Sequence, residues 1–228
     1  MKNYLVATNK RWNIEAFHQY TRNLPGNWKL LTDQQKLTAE IIDDLQPRYI
    51  FFPHWSSLVP NEILSKAECV CFHMTDVPYG RGGSPLQNLI SRGHKETKLT
   101  ALRMEGELDT GPVYKKENLI LTGSAQEIYE RAARKIYELI DHIVRNEPEP
   151  VPQEGKVTTF KRRKPDMSQL PLEGTMEQMY DHIRMLDAET YPHAFLVHGD
   201  YRLEFSEAEQ LTNEEVKASV IIKKKEND

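Results

Sequence analysis

Cysteine is almost missing from this 228-residue chain, which has only Cys69 and Cys71. Two cysteines cannot build a disulfide framework, and a chain of this length can bury a core without such staples. Two apart in one expected strand, their Cα atoms would lie about 6.6 Å apart. That is within reach of a strained bridge, but free thiols are the expectation in a reducing compartment. Long apolar runs are missing too. Nothing approaches the ~18 residues of a membrane span, which excludes the membrane. The N-terminus MKNYLVATNKRW has too short an apolar core for an export signal, so the expected location is the cytoplasm. An excess of positive charge is also lacking. Lys and Arg number 30 against 34 Asp and Glu, for a net charge of −4. No electrostatic footprint for nucleic acid follows from that balance, and nucleic acid is excluded as an expected partner. The chain has no GxxxxGK[ST] loop, no GxGxxG fingerprint and no GxSxG elbow. Internal repeats are absent as well.

What is present is alternation. Tyr4–Thr8, Trp28–Leu31, Arg48–Phe52 and Cys69–His73 read as strands. Helical stripes separate them over Asn13–Arg22, Thr38–Leu45 and Asn61–Lys66. Such alternation implies a mostly parallel sheet with helices on both faces. Ser84 with Pro85 marks a helix start running to Arg92 and Gly93. Lys98–Met104 and Val113–Leu121 follow as strands, and Ser124 is expected to cap a long helix ending at Asn146. EPEPVPQEG then has linker composition. Beyond it lie a basic run (Lys161–Lys164), a helix (Thr175–Leu186), a hairpin across Gly199-Asp200 and a last strand (Ser219–Lys223). The final KKKEND is expected to fray. The fold class is therefore α/β, an open, mostly parallel sheet over residues 1–150, with a small α+β extension over residues 151–228.

Two residues are candidates for chemistry, the alternatives being a structural strand histidine and a turn aspartate that bonds its own backbone. His73 ends an apolar strand on the lip of the loop PYGRGGSP, and Asp109 stands thirty-six residues later in EGELDTG. Open α/β sheets place active sites at such strand ends. Residues two apart on a strand share a face, so Cys69, Cys71 and His73 point one way. A metal site is not expected from Cys69-x-Cys71-x-His73, because zinc needs a fourth ligand and wider cysteine spacing.

The run FHMTDVPYGRGGSPLQNLISRGHKETKLTALRMEGELDTGPV resembles the core of the formyltetrahydrofolate-dependent formyltransferases. The resemblance covers about residues 1–150 and implies their Rossmann-like, doubly wound fold. KRRKPD and IRMLDAETYPHAF are similar to the sugar-nucleotide N-formyltransferase branch, and FFPHWS with FHMTD to its pseudaminic-acid-pathway type. The family pairs an Asn-x-His with a distant Asp. His73 and Asp109 match the last two, whereas Cys71 stands at the asparagine position, where a thiol is a weak donor.

Carried over, the resemblance implies 10-formyltetrahydrofolate as formyl donor, held by Phe52, Pro53, His54, Trp55, Leu58, Glu105, Gly106, Glu107 and Leu108. It places an acceptor over Gly80, Arg81, Gly82, Gly83, Ser84 and Pro85, with Arg163 and Tyr191 from the extension. The implied partner is a UDP- or dTDP-linked amino sugar, a 4-amino-4,6-dideoxy sugar of surface-glycan synthesis. A homodimer is left open. The alternatives are formyl transfer to another amine (glycinamide ribonucleotide, methionyl-tRNA or a peptidyl amine) and a non-catalytic folate- or nucleotide-binding protein.

Overall fold

A computed structural model describes residues 1–189 and 191–225. The chain divides into two compact units. Unit 1 comprises Met1–Gly82, Thr97–Leu119 and Glu130–Thr159; unit 2 comprises Gly83–Glu96, Ile120–Tyr129 and the chain from Phe160 onward.

Unit 1 is built on a six-stranded sheet. Its strands are β1 (Asn3–Ala7), β2 (Asn27–Leu31), β3 (Tyr49–Phe52), β4 (Glu68–His73), β5 (Glu96–Arg103) and β6 (Val113–Ile120), in the spatial order β2-β1-β3-β4-β5-β6. The pairs β1–β2, β1–β3 and β3–β4 are parallel, and β4–β5 is antiparallel. The sheet is thus mostly parallel, as the alternation implies. Helices α1 (Arg11–Tyr20), α2 (Ala39–Leu45) and α3 (Asn61–Lys66) connect its first four strands. Thr38 caps α2 by accepting the Ile41 N–H, which satisfies one orphan donor of the first turn.

Register sorts the strand residues by face. Tyr4 stacks on Trp28 at 4.7 Å, and Phe51 lies against Trp28 and Phe72 on the same side. The opposite side joins Leu5, Ile50, Phe52 and Cys69 in one buried cluster that Cys71 packs against. All four residues of β3 and four of the six in β4 are buried, the signature of strands covered on both faces.

Unit 2 contains α4 (Pro85–Ile90), α6 (Met176–Arg184) and an antiparallel sheet of β7 (Ala194–His198), β8 (Tyr201–Gln210) and β9 (Val216–Lys224). Gly199 turns the β7–β8 hairpin with φ 57°. Buried Arg184 organises the unit. Its Nε donates to Asp181 at 2.7 Å and its Nη1 to the Leu121 and Gly123 carbonyls at 2.6 and 2.8 Å. The long α5 (Ala125–Asn146) begins with a reciprocal cap, in which the Ser124 N–H donates to Glu127 and the Glu127 N–H to Ser124. Its stripe of Ile128, Ala132, Ile136, Leu139, Ile140 and Ile143 is buried as the spacing predicts.

Two local readings need correction. The helix expected to reach Arg92 ends at Ile90, where the Arg92 and Gly93 N–H groups turn back onto Leu89 and Ile90. Ser84 is not a side-chain cap; it sits in the left-handed region at φ 49° and its hydroxyl bonds elsewhere. The expected fraying of the last six residues is not seen at Lys223 and Lys224, which lie in β9, and residues 226–228 of that call lie outside the described residues.

Candidate active site

The strand end of β4 delivers His73 into unit 1's polar loop. His73 Nε2 lies 2.8 Å from the Gly80 carbonyl and Nδ1 lies 3.4 Å from Asp109 Oδ2. Both side chains are about nine-tenths buried, at 8% exposure each. Both ring nitrogens face oxygen acceptors, so the ring is arranged to donate hydrogen bonds.

Asp109 is fixed by its surroundings. Its backbone has φ 57°, a left-handed geometry that Asp tolerates better than most residues. Its Oδ2 accepts the Gly82 N–H at 2.9 Å. That amide can present itself because Gly82 adopts φ 106°. Gly111 follows Asp109 for another reason: a Cβ there would lie 1.8 Å from the Arg103 carbonyl oxygen.

A segment that reads as a linker holds this loop. Val151 exchanges two backbone hydrogen bonds with Val113. Gln153 donates from Nε2 to the carbonyls of Asp109 and Gly111, at 2.8 Å each, and accepts two bonds from Arg81 at 3.1 and 2.9 Å. Thr158 accepts the Gly80 N–H at 2.7 Å through its hydroxyl and the Arg81 N–H through its carbonyl. Sequence reasoning missed Gln153 and Thr158. Gln153 lies in the Pro/Glu-rich stretch and Thr158 just beyond it, and their polar side chains were the one available signal.

Cys71 shares His73's face, as expected. It packs against Val77, Leu102 and Val113 as well as the larger cluster. Burial, with the Asp109 charge second, pushes its thiol pKa far up, so the thiol stays neutral. It is a weak donor and a good core filler.

His54 has a different setting. Trp12 Nε1 donates to its Nδ1 at 3.0 Å, and Asn13 Nδ2 lies 2.9 Å from the same atom. Two donors on Nδ1 place the ring proton on Nε2, which faces the Met74 sulfur at 3.4 Å. Burial, then the Lys10 charge, pushes its pKa down to about 4.

The other residues implied for folate also lie in unit 1. Phe52 and Pro53 are buried, and Phe52 belongs to the core cluster. Trp55 meets Phe52 edge-on at 5.7 Å, and its indole Nε1 is buried with no hydrogen-bond partner in the structure. Leu58 is 91% exposed, and Glu105, Gly106, Glu107 and Leu108 form an exposed turn.

Unit 2 brings together three residues implied for the acceptor. Ser84 Oγ accepts the Arg163 backbone N–H and the Tyr191 hydroxyl, each at 3.1 Å. Burial lowers the Arg163 guanidinium pKa, and its Nε has no hydrogen-bond partner. Gly83 has no room for a side chain, because a Cβ would come within 2.7 Å of the Arg162 Cα. Pro85 starts α4. Among the described residues, no three His, Cys, Asp or Glu side chains converge on a metal-sized site, and no helix is long and apolar enough to cross a membrane.

A buried His–Asp pair at a strand end of an open, mostly parallel sheet sits where α/β enzymes of this architecture place their active sites. Comparison with known proteins narrows that class. A methionyl-tRNA formyltransferase structure from Clostridium thermocellum is 44% identical, with a TM-score of 0.95, over 99% of this chain and 100% of that one. The chain belongs to the formyltransferase family. A methionyl-tRNA formyltransferase of Sulfurovum is 28% identical over 165 residues, covering 70% of this chain and 53% of that protein. The chain thus spans about half the length of the curated relatives it matches. Residues 165–223 match the family described as "Methionyl-tRNA formyltransferase, C-terminal domain". HypX from Aquifex aeolicus, solved in complex with tetrahydrofolic acid, has a TM-score of 0.74 at 16% identity, over 90% of this chain and 37% of that one, a likeness of fold.

These findings overturn two expectations. A sugar N-formyltransferase from Shewanella matches at 14% identity, well below the 44% of the methionyl-tRNA formyltransferase. The sugar-nucleotide acceptor, UDP- or dTDP-linked, is therefore withdrawn. The exclusion of nucleic acid falls with it, since the relatives at 44% and 28% identity are named for tRNA. The physical reason is plain. Net charge is a whole-chain sum and says nothing of local basic runs such as Lys161–Lys164.

Proposed function

We propose that this chain transfers the formyl group of 10-formyltetrahydrofolate to the amine of methionyl-tRNA. The reading rests on the His73–Asp109 pair at the end of β4, in a chain 44% identical throughout to a methionyl-tRNA formyltransferase. Folate suits the residues present. Trp55 Nε1 is a buried donor with no hydrogen-bond partner among the described residues, and Leu58 and the 105–108 turn are exposed. When bound, 10-formyltetrahydrofolate supplies the formyl carbon that the amine attacks and the nitrogen that leaves.

The chain's own residues divide the remaining work. His73 donates to the formyl oxygen as charge develops there, replacing its contact with the Gly80 carbonyl; oxyanion donors of this kind are worth about a hundredfold or more. His73 also lies where a proton can pass from the attacking amine to the leaving nitrogen. Asp109, anchored by the Gly82 N–H, keeps the ring in register through Nδ1. Cys71 takes no donor role. It fills the space behind the ring.

The test is transfer of radiolabelled formyl to acid-precipitable methionyl-tRNA, with uncharged tRNA and free methionine as controls. Turnover with charged tRNA alone is expected, and His73→Ala or Asp109→Asn should each lower it about a hundredfold. Label that never leaves folate, or undiminished turnover in either variant, would sink the reading.

A further inference from the structure

We propose that Gln153 is a positioning residue that sets the His73–Asp109 geometry from outside the site. The inference rests on the proposed formyl transfer for its kinetic readout, though not for its structural one. The amide orientation is fixed by its neighbours. One end faces two carbonyl oxygens, Asp109 O and Gly111 O, and can only be the NH2; the other faces the Arg81 guanidinium and can only be the oxygen. Every bond of the side chain is therefore directional. The opposite assignment would set oxygen against two oxygens and NH2 against a cation.

What Gln153 joins matters more than its own bonds. It binds the backbone of one stretch that holds the histidine, at Asp109 and Gly111, and the Arg81 side chain of the other. Gly80, beside Arg81, presents the carbonyl facing His73 Nε2 at 2.8 Å. Gly82, on the other side of Arg81, supplies the N–H that fixes Asp109 Oδ2. Asp109 and Gly111, whose carbonyls Gln153 holds, carry the carboxylate facing His73 Nδ1 at 3.4 Å. One amide thus spans both partners of one ring. Asp109's left-handed backbone, φ 57°, is a conformation that its surroundings must maintain. The Gln153 bond to the Asp109 carbonyl acts on that backbone. Thr158 reinforces the Gly80 side alone, through the Gly80 and Arg81 N–H groups. Gln153 is the residue that couples the two sides.

Gln153→Glu keeps an acceptor for Arg81 but turns both carbonyl contacts into oxygen–oxygen repulsions. Gln153→Ala deletes every bond without repulsion. Exposed Glu154 gives the neighbouring control, Glu154→Gln. A misplacement of about 1 Å is enough to cost up to a hundredfold. We expect kcat to fall tenfold to a hundredfold in Gln153→Glu and less in Gln153→Ala. KM for both substrates should stay within about threefold, and Glu154→Gln should match the unmodified chain. Hydrogen exchange at the Gly82 amide supplies the independent readout. Loosening Asp109 should speed it at least tenfold in both Gln153 variants, in the full chain with its circular dichroism unchanged. Should Gln153→Glu not fold, Gln153→Ala carries the test alone. Unchanged Gly82 exchange with unchanged kcat overturns the positioning role. Faster Gly82 exchange in a chain that transfers no formyl group to any tRNA retains the positioning role and removes the proposed activity.

Discussion

His54 makes a sharp case for pH-dependent stability. Its ordinary pKa of 6.5 falls to about 4 in the folded chain, with burial the main cause. The sign follows from proton counting. Between these values the unfolded chain binds a proton that the folded chain refuses, so stability is full above pH 6.5 and is lost as pH falls toward 4. Each unit of pKa difference is worth about 1.4 kcal/mol. Between pH 6.5 and 5 the loss is therefore about 1–2 kcal/mol. The perturbation to use is His54→Asn. Its amide oxygen can replace Nδ1 as acceptor for Trp12 and Asn13, and asparagine accommodates the φ of 47° at this position. Urea denaturation at half-unit steps from pH 7.5 to 5 should give a slope in the unmodified chain that is shallower by that 1–2 kcal/mol in the variant. His182, also lowered by burial, contributes in the same window in both proteins and cancels. Glu40, Glu147, Glu177 and Glu204 are held below their ordinary value and act only at lower pH. Parallel curves for the two proteins would show that His54 does not enter the fold as a buried neutral base.

Gly111→Ala should destabilise by about 3 kcal/mol or more, because a Cβ lands 1.8 Å from a backbone oxygen that cannot step aside; chemical denaturation measures it, and a loss under 1 kcal/mol would contradict the close approach. Asp181→Ala should cost about 3–5 kcal/mol by stranding the Arg184 charge. Asp181→Ala with Arg184→Met should recover much of that loss, and a double variant no better than the single would contradict the pairing. Ser84→Ala should cost about 1–3 kcal/mol by removing the acceptor for both Arg163 and Tyr191, measurable as a shift in the urea midpoint.

Periodicity made most of the architecture legible. Asn61–Lys66 and Ala194–His198 fall where the pattern puts them, because apolar spacing and turn residues are local signals. Local cues marked His73 and Asp109 only as candidates; the resemblance paired them, and the structure sets them 3.4 Å apart. Ser84 was misread because its position before Pro85 is a local cue, whereas its bonds run to Arg163 and Tyr191. Gln153 escaped for the same reason. Its partners lie 42 to 72 residues away, and no local pattern encodes them. The acceptor was misassigned on short motifs and on whole-chain charge, neither of which measures a surface.

The thiols of β4 have a practical consequence. Cys69 is pushed up to about 12 and Cys71 further, both by burial, and both are free. A thiolate is the reactive form, so Cys69, buried in the core cluster, should not react with an alkylating reagent while the sheet is closed, whereas Cys71 is only half-buried. Alkylation of Cys69 then proceeds only through opening of the central strand, and its rate reports that opening directly. Cys69 is thus a built-in probe of how often β4 opens, read by mass spectrometry as the mass the reagent adds.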